Sequence, residues 1–94
     1  MAVAVVVEEN IKKGQIGAFA EYMREMIALT KQEKGCIAYD FYKSVDSEKC
    51  VMVEIWEDKE SLDAHLESEH FKKFIPGGDI YKETASEIRV FERQ

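Results

Sequence analysis

Between residues 16 and 30 the apolar side chains recur at spacings of three and four. Ile16, Phe19, Ala20, Met23, Ile27 and Thr30 share one side, with Glu21, Arg24, Glu25 and Lys31 on the other. That period predicts an amphipathic helix, stopped by Gly35. Elsewhere the pattern is extended. Residues 2–11 (AVAVVVEENI) are rich in β-branched side chains and end in the turn Lys12, Lys13, Gly14. Residues 36–45 and 49–57 are rich in Ile, Val, Tyr, Phe and Trp and flank the polar turn Asp46, Ser47, Glu48, which predicts a hairpin. Asp58 suits the N-cap of a helix from Lys59 to about Glu67, because its carboxylate can accept a free amide of the first turn. Ser68 restarts a turn through Phe74, closed by Pro76, Gly77 and Gly78. A last strand is predicted from about Tyr81 to Glu92.

The order βαββαβ implies an α+β, ferredoxin-like antiparallel sheet with both helices on one face, in a single domain spanning residues 1–94. Neither face of the hairpin is polar. Val51, Val53 and Ile55 alternate with Cys50, Met52, Glu54 and Trp56; Ile37, Tyr39 and Phe41 alternate with Cys36, Ala38 and Tyr42. Two helices cover one face of four strands, so the other calls for a second sheet, most simply that of a second copy. A homodimer with sheets face to face, a dimeric α+β barrel, is the expectation.

Composition narrows the partners. The 94 residues are 46% hydrophobic and 34% charged with one proline, a globular balance, and no apolar run reaches the ~20 residues of a membrane span. A net charge of -6 with 13 scattered Lys and Arg argues against nucleic acid. The opening MAVAVVVEEN has no basic residue before its apolar run and reads as a strand rather than a signal peptide, giving a cytoplasmic expectation. Cys36 and Cys50 fall near opposite ends of the hairpin, some eight strand positions or roughly 27 Å apart, so reduced thiols are expected.

Candidate chemistry lies between Gly35 and Phe71, where a hairpin ending in Trp56 precedes a short helical stretch carrying His65 and His70, the only two histidines. A neutral imidazole accepts a proton at cellular pH. Structural roles stand beside this: Trp56 as a packing anchor, His65 buried between Leu62 and Leu66, His70 as a capping group. Glu54 is expected on the Trp56 face, where a buried carboxylate must be paired or functional. The histidines are five apart, not the three or four that align on a helix face, and no nearby carboxylate completes a clear ligand set, so no metal is expected.

The strand order, GCIAYDFYKS after the first helix and VEIWEDKESLDAHLESEHF resemble the antibiotic biosynthesis monooxygenase domain family over nearly the whole chain. The specific part is Trp56, Glu57 and Asp58, then His65 and the run Ser68, Glu69, His70, Phe71. That family includes quinol monooxygenases, hydroxylases of aromatic polyketides, haem-degrading enzymes and an isomerase of a phosphorylated signalling-molecule breakdown product, so the resemblance implies the fold more firmly than the reaction. It implies a cofactor-independent monooxygenase acting on a quinol or polycyclic phenol. His65 or His70 would be the base, Trp56 and Glu54 would shape the pocket, and Tyr39, Tyr42, Phe71 or Tyr81 would contact the substrate. Haem-degrading members carry an asparagine on the first strand, where this chain has Val7; Asn10 lies three residues further on. The alternatives are an isomerase of a small phosphorylated carbonyl compound, for which Lys72 and Lys73 supply cations close to His70, and a dimer that only binds a small ligand.

Overall fold

A computed structural model describes residues 1–94. The elements run β1 (Val3–Asn10), α1 (Ile16–Lys31), β2 (Cys36–Lys43), β3 (Lys49–Trp56), α2 (Lys59–Leu66), α3 (Glu69–Gly77), a 3-10 turn (Gly78–Tyr81) and β4 (Glu87–Glu92). The strands form one antiparallel sheet in the order β2-β3-β1-β4. This is the expected ferredoxin-like α+β arrangement, with the second helical region split at Ser68.

The helical period places Ile16, Phe19, Met23, Met26 and Thr30 of α1 in the interior. They meet the sheet face made by Cys50, Met52, Glu54 and Trp56, all buried, while Val51, Val53 and Ile55 on the other face are half-covered. Asp58 caps α2 as anticipated, its Oδ1 accepting the Ser61 amide at 2.8 Å. Ser68 does the same for α3, accepting from the Phe71 amide and donating to the His65 carbonyl, which locks the two short helices at a fixed angle.

Three features differ from the sequence reading. In β2 the register shifts between Cys36 and Ala38: Cys36 pairs with Trp56 and Ala38 with Ile55. Ile37 is therefore the extra residue of a bulge and is exposed, and Cys36 joins Tyr39 and Phe41 on the helix face. The cysteines pair with Trp56 and Lys43, six positions apart along β3 rather than eight, or roughly 20 Å, and both are free thiols. The helix expected to reach Phe74 continues through Pro76 to Gly77. Finally, β4 starts at Glu87, not Tyr81. Lys82 is drawn inward to Glu9 and Ser86, and an isolated bridge from Lys82 to Ile11, with Asn10 donating to Thr84, joins this crossover to the sheet.

Candidate active site

Three elements converge at one carboxylate. Glu33 lies in the turn after α1, His65 near the end of α2 and His70 in the first turn of α3. Glu33 Oε2 is 2.6 Å from His65 Nδ1 and 2.8 Å from His70 Nε2. One oxygen therefore serves two imidazoles that are five residues apart and on different helices.

The turn that delivers Glu33 depends on Gly35. Its φ of 84° is disfavoured for residues with a side chain, and a Cβ there would overlap Ser61 Oγ. The Gly35 carbonyl accepts the Glu57 amide at 2.7 Å, tying the turn to the end of β3 beside α2.

His65 is sealed from the sheet side. Its ring lies 4.8 Å from the Trp56 ring at 32°, with Tyr39 at 5.5 Å and Phe71 at 5.2 Å presented edge-on. Only 1% of His65 is exposed, against 16% of the His70 side chain and 17% of that of Glu33. The clamp thus has a dry end at His65 and a wet end at His70. His70 also lines an open cleft of about 310 Å³ with Glu25, Leu29, Glu69, Lys73 and Phe74.

A buried carboxylate stands behind the tryptophan. Trp56 Nε1–H donates to Glu54 Oε1 at 3.0 Å, so Glu54 is paired, as its position required. Burial pushes the Glu54 carboxyl up to about 7, opposed by the tryptophan hydrogen bond and assisted by the negative charge of Glu33. Tyr39, directly opposite Glu54 in the ladder, has its phenol pushed well above the ordinary range by burial and then by Glu54. Burial holds His65 below the ordinary histidine range, against the pull of Glu33. A buried neutral His65 must place its proton on Nδ1, facing Glu33, and its lone pair on Nε2; a neutral His70 donating from Nε2 keeps its lone pair on Nδ1. Glu33 thereby fixes the tautomer of both rings, which is what a proton-accepting pair requires.

Of the residues singled out from sequence, His65, His70, Trp56, Glu54, Tyr39 and Phe71 come together. Tyr81 does not: its ring packs 5.9 Å from Phe19 and 5.4 Å from Tyr22, in the other half of the core. Tyr42 is exposed on the opposite face of the sheet. Phe19, Met23 and Met26 fill the space between α1 and the sheet rather than bordering a cavity. Glu33 was missed, and with it the carboxylate that joins the two histidines. The available signal was a glycine at the end of a helix, which fixes a turn but does not say which side chain the turn aims inward.

The profile of the antibiotic biosynthesis monooxygenase family matches residues 2–77. A protein of Mycobacterium tuberculosis, Rv0793, whose name gives it a provisional monooxygenase assignment, is 31% identical over 72 residues, which is 77% of this chain and 71% of the relative. Its solved structure superposes with a TM-score of 0.92 over 100% of this chain and 96% of that one, at 24% identity. A conserved protein of Methanosarcina mazei gives a TM-score of 0.95 at 30% identity, covering 100% of this chain and 94% of that one. An uncharacterised protein of Synechocystis is 25% identical over 91 residues, 94% of this chain, and the chain spans 62% of that relative's length. With most of its length matched by the family and its four-stranded fold shared with these structures, the chain belongs to the antibiotic biosynthesis monooxygenase family.

Proposed function

We propose that the protein is a cofactor-independent monooxygenase that oxidises a quinol or polycyclic phenol with dioxygen. The observation that carries this reading is the Glu33 clamp, which presents two imidazoles in defined tautomers beside an aromatic wall. His70, at the cleft, takes the phenolic proton on Nδ1. The imidazolium so formed is held by its Nε2–H bond to Glu33. His65, boxed by Trp56, Tyr39 and Phe71, shares the same carboxylate and keeps it oriented. The phenolate then forms a carbon–oxygen bond to dioxygen, the peroxide recovers a proton, and loss of water leaves a quinone carbonyl. One dioxygen supplies the new carbonyl oxygen and the water, so the step needs no external reductant.

The same reading takes residues 1–94 as one domain acting as a homodimer. Val6, Val51, Val53 and Ile55 on the face away from the helices are only half-covered, and Tyr42 and Phe91 are exposed. A second sheet would bury that face, and sedimentation as a monomer at micromolar concentration would contradict it. Two free cysteines fit a reducing, cytoplasmic setting.

An isomerase of a small phosphorylated carbonyl compound is the second reading, favoured by Lys73 beside His70 in the cleft. Lys72 is drawn instead to Glu67 at 2.9 Å. Dioxygen uptake by metal-free protein with a panel of quinols and hydroxylated anthracenes separates the two. Uptake above autoxidation, lost in His70→Ala, supports the monooxygenase; conversion without dioxygen consumption supports the isomerase.

A further inference from the structure

We infer that Glu33, His65 and His70 form a binding site for a borderline divalent transition metal ion such as zinc, and that occupancy switches off the base chemistry of the same residues. The inference rests on the proposed monooxygenase reading only for its second half.

Two imidazole nitrogens and one carboxylate oxygen lie within 4.8 Å of one another. Two nitrogen donors with one oxygen select zinc and its neighbours over magnesium or calcium, which favour all-oxygen shells. The three donors come from three separate elements, so convergence is imposed by the fold and not by a single helix repeat. Tetrahedral bonds of about 2.1 Å place donor atoms roughly 3.4 Å apart. The present 2.6 and 2.8 Å separations must open by about 0.6–0.8 Å to admit an ion of that geometry. His70 and Glu33 are the members with room to move, since both side chains reach solvent. Solvent on that side supplies a fourth ligand, while Trp56, Tyr39 and Phe71 close the other.

Ligation inverts the proton arrangement of the clamp. A metal on His65 Nδ1 and His70 Nε2 takes the lone pairs at those nitrogens, so the protons move to Nε2 and Nδ1. The base lone pair of His70 is thereby lost. Metal binding and proton abstraction at this site exclude each other.

The test is titration of the metal-stripped full chain with zinc by calorimetry, and with cobalt by visible absorption. One ion per chain with a four- or five-coordinate cobalt spectrum free of thiolate charge transfer is expected. Glu33→Gln and His70→Ala should each weaken binding at least ~100-fold, with folding of each variant verified by circular dichroism. Absent binding in the wild type, unchanged binding in both variants, or a thiolate band from Cys36 or Cys50 would overturn the site. Dioxygen uptake then tests the switch: one equivalent of zinc should abolish it and a chelator should restore it. If the metal binds but metal-free protein oxidises nothing in the panel, the site stands and the monooxygenase reading falls. If metal-free protein turns over and zinc at saturation leaves the rate unchanged, the switch is wrong.

Discussion

Glu33 Oε2 and His65 Nδ1 are 2.6 Å apart although 32 residues separate them in the chain, and the same oxygen holds His70 at 2.8 Å. Replacing that acceptor is the most informative single change. Glu33→Gln keeps the shape and removes the charge, so both imidazole N–H groups are left with a neutral, weaker acceptor. The fold should lose about 2 kcal/mol, in the range of a hydrogen bond to a charged group, and turnover should fall about 100-fold as the tautomers are freed. Urea unfolding and initial rates on the same preparation check both.

Glu54 makes the stability depend on pH in a particular direction. Its folded carboxyl titrates near 7 against an ordinary 4.5. The folded state therefore holds a proton that the unfolded state has released, and stability present below 4.5 is lost as pH rises through 7. The shift corresponds to about 3 kcal/mol. Glu54→Gln keeps an acceptor for Trp56 and removes the titration, so it should be more stable than wild type at pH 8 and similar near pH 4.5. Thermal melts across pH 4–9 measure it; a constant difference across that range would contradict the burial argument. His65 works in the opposite sense. Its lowered folded value removes stability as pH falls below about 6.5.

Gly35→Ala should be severe for a surface turn. The new methyl would overlap Ser61 Oγ and lie 2.5 Å from Ser61 Cβ, at a φ of 84°. A loss of about 2–4 kcal/mol is expected, from strain and overlap together. Adding Ser61→Gly should recover part of it by removing the overlap, leaving the backbone term. Rates should fall in the single variant, because the turn that carries Glu33 is displaced.

Tyr81→Phe should leave turnover unchanged. The Tyr81 ring is held between Phe19 and Tyr22, away from the histidines. A drop of tenfold or more in kcat/KM would mean that the crossover after α3 reaches the site during reaction.

The fold was legible because period and punctuation agreed along most of the chain. The three-and-four repeat of α1, the alternation of β3 and the caps Asp58 and Ser68 are local signals that tertiary structure did not override. The failures were non-local. Ile37 sits in an apolar alternation, yet the bulge that expels it depends on how β2 must meet the end of β3. The start of β4 was displaced because Lys82 is captured by Glu9 from another strand. The site was half legible for the same reason. His65, His70, Trp56 and Glu54 carry unusual chemistry and cluster in sequence, whereas Glu33 is one of 19 acidic residues and gains its role only when the turn at Gly35 folds it against α2 and α3.

The most direct measurement is dioxygen consumption by metal-free protein with a responsive quinol or hydroxylated anthracene, comparing wild type, Glu33→Gln and His70→Ala, each verified as folded. The clamp as base predicts uptake well above autoxidation in wild type and a fall of about 100-fold in both variants. Undiminished uptake in folded variants would show that Glu33 and His70 are not the machinery of the reaction.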